Sequence, residues 1–411
     1  MRDFFVFLNH VYGTFLSAMS IDKTLNLLLS KSALTEARST SITEDTNHVD
    51  WHVLYERAMG THLAPILHKS LMGFDFDKEI KKGLENAYNQ VLAENILYQL
   101  GFTQLGTVLN KHKIALVPLK GIYLGELVYK DIGLRHLSDI DVLVKHEDLE
   151  EVCRLMQLEG WKVESVTRHS NVEDTHFFDA HPKTLVKNAV KIELHTHLYN
   201  GSKEMFLSKE ALWNDTHTER FLGVEIHQFS KEMVLQHLCL HLHKHFFGDE
   251  LKMLSFCDIR EFIRANENEI DWACFEQLAS TYGYGEEVRQ ILYLTFRFWG
   301  VIQVPQNLRN PQLPTEELDE RFMQLFSGAK EEGSVHVKRK LEARLENIDQ
   351  LDSWKEKLIY TLGFVFPKKD FMRKNYNLDD KSWLFPWYLC RPIELSAKAF
   401  RVILRTSKKR K

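Results

Sequence analysis

The sequence predicts an α+β chain: a small mixed β-sheet core flanked by N-terminal and C-terminal helical regions. Three observations predict it. Short β-branched runs bounded by turn residues cluster between Ile114 and Leu198, apolar residues before them recur at helical spacing, and helical spacing returns after Ser230. At 411 residues the chain exceeds what one ordinary core supports. It divides into an N-terminal helical region at 1–95, a sheet-bearing core at 96–225 and a C-terminal helical domain at 226–411.

Met1 to Ser20 is apolar but interrupted by Asp3, Asn9 and His10, with no basic leader and no clean cleavage site, so it reads as an amphipathic helix rather than a signal peptide. Ser39 to Asn47 is a polar break. Trp51, Leu54, Ala58 and Leu63 lie near helical spacing, and a second helix runs from about Ile80 to Leu109. Then come a strand at Ile114 to Leu119, a Lys120-Gly121 turn, a helix at Ile122 to Tyr129 and a strand carrying Asp139 and Asp141. The helix from about Glu147 to Leu158 carries the apolar stripe Leu149, Val152, Leu155 and Met156, and Gly160 stops it. Trp161 to Val166 and Val190 to Leu194 are the next strands. Pro305, Pro311 and Pro314 mark a linker or long loop, and Lys408 to Lys411 form a basic, solvated tail.

Hydrophobic residues at 44% and charged residues at 27% are ordinary for a soluble globular protein, which excludes a disordered chain. A net charge of -4 argues against bulk attraction to nucleic acid. No run of about 18 apolar residues exists, so no membrane span is expected. Cys153, Cys239, Cys257, Cys274 and Cys390 are odd in number and widely scattered, which fits a reducing, cytoplasmic location.

The segment Ile114 to Val144 carries the chemistry. Side chains on a strand alternate sides, so Asp139 and Asp141 project from one face while Ile140 and Val142 enter the core. Glu193 likewise lies opposite the face made by Val190, Ile192 and Leu194. Three acids on two neighbouring strands suggest a magnesium site, with Asp139 and Asp141 bridging two ions and Glu193 serving the ion beside the nucleophile. Gly121 opens a helix directly after a strand, so its backbone and the free amides of the first turn can approach a phosphate. Lys120 and Arg135 are cations for the outer phosphates, and Ser138 offers a hydroxyl. Nucleotidyl transfer, an in-line attack on the alpha phosphorus of a nucleoside triphosphate, needs this equipment. The reading requires Glu193 to converge on the aspartates, with no cation of the chain itself filling the gap.

His237, His241 and His245 recur every four residues on the helix that begins near Ser230, and Cys239 and His243 form a second such pair. A row of this kind can bind zinc, but no further ligand at short spacing is obvious. The alternative places His241, Lys244 and His245 on one wall of a cleft, Lys244 near phosphate, with Asp258 orienting one histidine. His195 and His197 follow Glu193 on its face, which puts His195 either behind a metal-binding carboxylate or beside the acceptor. The stretch holding His169, His176, Phe177, Phe178 and His181 reads as a lid, a base-stacking surface or a buried connection.

Leu119-Lys120-Gly121, Tyr129, Arg135, the run Ser138 to Val144 and Ile192-Glu193-Leu194-His195 together resemble the uncharacterised nucleotidyltransferase family of bacteria, a branch of the polymerase-beta-type nucleotidyltransferase superfamily. Asp50-Trp51, Ala58, His62, Gly160-Trp161, Leu238 to His241, Lys244-His245, Asp258-Ile259 and the Pro367 to Arg391 region extend the likeness over nearly everything after about residue 48. The resemblance implies a nucleotidyltransferase core whose three acidic ligands map onto Asp139, Asp141 and Glu193. It implies two magnesium ions, with manganese as the substitute, and transfer of a nucleoside monophosphate, most simply AMP from ATP, to a hydroxyl with release of pyrophosphate. The acceptor is left open among a small molecule, a saccharide and a protein side chain. The superfamily's usual Gly-Ser or Gly-Gly turn stands here as Lys120-Gly121, so one customary phosphate contact has to come from Lys120, Arg135 or Ser138. Two other readings are a catalytically silent nucleotide-binding scaffold and a metal-dependent hydrolase built on the histidine helix.

Overall fold

The computed structural model describes residues 51–73, 76–165, 183–198, 209–299 and 303–326, with short stretches between 354 and 394. The readings made for Met1 to Ser20, Ser39 to Asn47, the His169 to His181 stretch and the basic tail lie outside the described residues.

Helices α1 (Trp51–Gly60) and α2 (Ala64–Ser70) lead into α3 (Lys78–Lys111), whose 34 residues make a rod of about 50 Å at ~1.5 Å per residue. Asp77 caps α3, its carboxylate accepting from the Glu79 and Ile80 amides at 2.8 and 3.0 Å. The inward stripe of α3, Ile80, Leu84, Val91, Tyr98, Phe102, Leu105 and Leu109, recurs at three, four or seven residues, the spacing of one helical face. The helix is continuous across residues 95 and 96.

Five strands form a mixed sheet: β1 (Leu116–Leu119), β2 (Ile140–Val144), β3 (Lys162–Ser165), β4 (Lys183–Lys187) and β5 (Val190–His195), in the spatial order β1-β2-β5-β4-β3. Among the described strands of this sheet only the β2–β5 pair is parallel. Between β1 and β2 a short helix, α4 (Gly121–Leu124), widens into a π turn at Gly125–Tyr129. α5 (Leu149–Leu158) ends in Gly160, whose φ of +81° is the left-handed conformation that glycine accepts without strain.

The two faces of the sheet enter different cores. Leu116, Ile140, Val142, Val144, Leu185, Ile192 and Leu194 pack with Phe102 and Leu105 of α3 and with Val152 and Met156 of α5. Val117, Leu119 and Leu143 face the other way, into a cluster shared with the C-terminal helices α7 (Lys231–Phe247), α8 (Met253–Ala265), α9 (Trp272–Thr281), α10 (Gly285–Trp299) and α11 (Thr315–Phe326). The sheet is thus sandwiched by helices. The expected helical flanks are present, and Pro305, Pro311 and Pro314 occupy the connection from α10 to α11, which includes a short 3-10 turn at Gln306–Arg309.

Two strand features go beyond the sequence reading. β4, Lys-Thr-Leu-Val-Lys, is short and flanked by lysines, so its apolar signal is too brief to register. After a helix α6 (Lys209–Asn214), a hairpin of β6 (Thr216–Phe221) and β7 (Val224–Phe229) turns through Leu222 and Gly223, both at positive φ. That two-residue turn suits the right-handed twist of paired strands. β6, Thr-His-Thr-Glu-Arg-Phe, is polar because little of it is buried, which hid it from a search for apolar runs.

Candidate active site

The site grows from one register. β2 and β5 pair in parallel with Asp141 opposite Glu193, while Leu119 of β1 and Thr184 of β4 continue the same row across the sheet. Residues opposite one another share a face, and neighbouring strands lie about 4.8 Å apart. The two carboxylates therefore meet side by side. His195, two residues beyond Glu193, joins them: ligand atoms from Asp141, Glu193 and His195 all lie within 4.8 Å of one another.

Asp141 is buried at 8% exposure and holds both its oxygens against chain donors. Lys120 Nζ lies 3.1 Å from Oδ2, and His195 Nε2 donates to Oδ1 at 2.7 Å and stands 3.8 Å from Glu193 Oε2. Burial works against an ionised Asp141, but the Lys120 ammonium and the His195 hydrogen bond outweigh it and hold the carboxyl well below the usual range. Asp139, half-buried one residue before β2, moves the opposite way, because burial and the Asp141 charge both disfavour its ionised form. Two neighbouring acids with opposed tendencies are the arrangement that assigns different roles to like groups. Glu193 converges on Asp141 as expected, whereas Asp139 is not in the group of three; His195 is. The ammonium of Lys120 does sit on Asp141, against the expectation that no chain cation would.

The local backbone explains how Lys120 gets there. It is the residue between β1 and α4, with φ +46° and ψ -113°, a conformation that costs a residue with a side chain about 1–3 kcal/mol. The strained turn aims the ammonium across the sheet edge at Asp141 and leaves Gly121 to start α4.

Arg135 and Asp258 are joined to each other. Arg135 donates from Nε and Nη2 to the two oxygens of Asp258 at 2.9 and 2.7 Å, and the Tyr129 hydroxyl donates to Asp258 Oδ1 at 3.0 Å. Asp258 thus orients an arginine and a tyrosine, where the sequence reading gave it a histidine. Ser138 and Lys244 are both exposed.

The histidine row of α7 faces the same side of the sheet. Burial, then the nearby Lys120 charge, pulls His237 down to about 3 and holds His241 well below its ordinary value. His241 Nε2 lies 3.3 Å from His245 Nε2, and His245 Nδ1 lies 2.6 Å from Glu250 Oε2. His243 pairs instead with Gln290 at 3.1 Å. Among the described residues, the metal-capable group of three forms at Asp141, Glu193 and His195, and α7 contributes none to it.

Sequence reasoning missed Asn95 and Tyr98 on α3. Asn95 Nδ2 donates to the Arg135 carbonyl at 2.7 Å and the Tyr98 hydroxyl to the Ser138 carbonyl at 2.8 Å, which ties down the loop before β2. Their signal was present: a polar residue on the apolar stripe of a helix must find a partner when buried.

The family model described as uncharacterised nucleotidyltransferase matches residues 47–300. No curated protein matches the chain. Among solved structures, the solution structure of the antibiotic-resistance factor ANT(2'')-Ia is similar over 47% of this chain and 91% of that one, at 12% identity and a TM-score of 0.30.

Proposed function

Because this chain belongs to the uncharacterised nucleotidyltransferase family, we propose that it transfers a nucleoside monophosphate, AMP from ATP, to a hydroxyl of an acceptor. The acceptor hydroxyl gives up its proton to solvent and its oxygen forms a bond to the alpha phosphorus, the bond from that phosphorus to the bridging oxygen breaks, and pyrophosphate leaves. One observation carries the reading: the parallel register of Asp141 and Glu193, which gathers negative charge at one point of the sheet.

The residues fit a divalent cation. Two carboxylates and an imidazole converge, Asp139 stands beside them, and Thr184 Oγ1, next to Glu193 in the row, is buried with no hydrogen-bond partner. Asp139, Asp141 and Glu193 would hold magnesium or manganese, which on binding lowers the pKa of the attacking hydroxyl and neutralises charge on the leaving pyrophosphate. Lys120 would exchange Asp141 for a phosphate oxygen, a short swing for a four-carbon stem. The amides that open α4, the Ser138 hydroxyl and Lys244 complete the grip, while His241 and His245 face the acceptor and His195 steadies Asp141 through their hydrogen bond. Among the described residues no helix is long and apolar enough to cross a membrane. We place the protein in the cytoplasm, the setting that its five scattered cysteines suggest.

A second reading, a silent nucleotide-binding scaffold, is favoured by the two chain donors already on Asp141. A thermal-shift screen of the four nucleoside triphosphates with and without magnesium tests binding, since a ligand of the native state raises stability by RT ln(1 + [L]/Kd). Magnesium-dependent pyrophosphate release then separates enzyme from scaffold. No shift with any triphosphate at millimolar concentration sinks both.

A further inference from the structure

Gly121 has no room for a side chain. A Cβ there would lie 2.6 Å from Arg135 Nη1 and 2.7 Å from Leu137 Cδ2. The guanidinium of Arg135 is therefore packed against the backbone of the turn that carries Lys120. It is held in place from another part of the fold, by the two-point hydrogen bond to Asp258 on α8, and Nη1 also donates to the His136 carbonyl at 3.2 Å. Asp258 is 2% exposed, and its Oδ1 takes the Tyr129 hydroxyl from the far end of the π turn. One carboxylate thus anchors both Arg135 and the end of the helical segment that begins at Gly121.

A planar guanidinium gripped by two parallel hydrogen bonds has little freedom to rotate or slide. The position of Asp258 fixes Nη1, and Nη1 sets how deeply the Gly121 backbone can lie. We propose that Asp258 is a positioning residue for the Lys120–Gly121 turn, acting through Arg135, and so for binding of the triphosphate end of a metal–nucleotide. This rests on the transferase reading of that turn. Arg135 on this account supports the turn from beneath rather than touching phosphate. Stability alone is a weak reason for such a pair, because well-packed apolar residues of similar volume often serve as well or better. What they cannot do is hold a chosen atom against a glycine. Misplacing a binding group by about 1 Å can cost on the order of a hundredfold in rate.

The test uses the full-length protein and two variants, Asp258→Asn, which removes the charge, and Asp258→Glu, which keeps it but lengthens the arm by one methylene. Amide hydrogen exchange at residues 120–124 reads the turn directly, and calorimetric titration with magnesium and a non-hydrolysable ATP analogue reads the consequence. Both variants are expected to exchange at least tenfold faster there and to bind the nucleotide at least tenfold more weakly. Arg321→Lys, at the buried pair that Arg321 makes with Asp249 at 2.6 Å, serves as a control of comparable burial: it lowers the melting temperature and leaves nucleotide affinity within twofold. If Asp258→Asn does not fold, Asp258→Glu decides. A folded Asp258→Glu with wild-type exchange at 120–124 overturns the proposal, as does wild-type affinity in that variant. A wild-type protein that binds no nucleotide defeats the transferase reading instead, and the exchange comparison still judges whether Asp258 sets the turn.

Discussion

Replacing Asp141 with Asn removes charge at constant volume, and from sequence alone that change costs turnover with little loss of fold. The structure changes the second half of this expectation. Asp141 and Lys120 have side chains only 10% and 14% exposed, 3.1 Å apart, so solvent screens their attraction weakly. Removing one partner of a buried pair costs about 3–5 kcal/mol, because the other charge stays behind without its counter-ion. The flexible stem of Lys120 lets its ammonium move toward water, which places the cost near about 3 kcal/mol. At about 2–4 °C per kcal/mol for a unit of this size, Asp141→Asn is expected to melt about 6–12 °C below wild type at pH 7. Asp139→Asn should behave differently. Burial and the Asp141 charge already oppose ionisation of Asp139, so its neutral replacement relieves both, and its melting point should equal or exceed wild type. That advantage should fade in acid, where Asp139 itself becomes protonated. Paired calorimetric melts of the three proteins at pH 7 measure the difference. Equal destabilisation by the two variants, or an Asp141→Asn protein that melts with wild type, would show that the buried Lys120–Asp141 contact does not govern the site.

Gly121→Ala forces a methyl group against Arg135 and Leu137 and is expected to cost about 1–3 kcal/mol, read as a lower urea midpoint at unchanged m; an unchanged midpoint means the turn has slack. The folded-state pKa of His237, about 3, lies below the ordinary value of about 6.5, so the unfolded chain binds the extra proton between those limits and stability rises with pH there. Urea titrations at pH 4.5 and 7 should find acid destabilisation that shrinks, by up to about 1.4 kcal/mol per pH unit, in a His237→Gln variant. An equal slope in the variant assigns the acid sensitivity to other groups. Manganese at ten times its Kd should stabilise the wild type by about 1.4 kcal/mol, and Glu193→Gln should lose most of that shift if Glu193 is a ligand. Retention of the full shift in the variant removes Glu193 from the metal site.

Much of the sheet was legible because a two-residue period is a local property. It told which side chains of β2 and β5 enter the core, and therefore that Asp141 and Glu193 lie on the opposite face. The long helix α3 was legible for the same reason at period 3.6, while β4 and β6 were not, since short or solvent-facing strands carry too little apolar signal. Lys120, Gly121 and Arg135 were recognisable as a group from their order along the chain. Their partners were not.

By itself, the sequence determined the fold class, the acidic strands and the strand–turn–helix that opens at Gly121, all of which depend on neighbours a few residues away. Only the tertiary structure decided that Lys120 and His195 hold Asp141, and that Arg135 spends its fork on Asp258, 123 positions along the chain. A buried charge must take whichever opposite charge the packing brings within about 3 Å, and local periodicity carries no record of that choice.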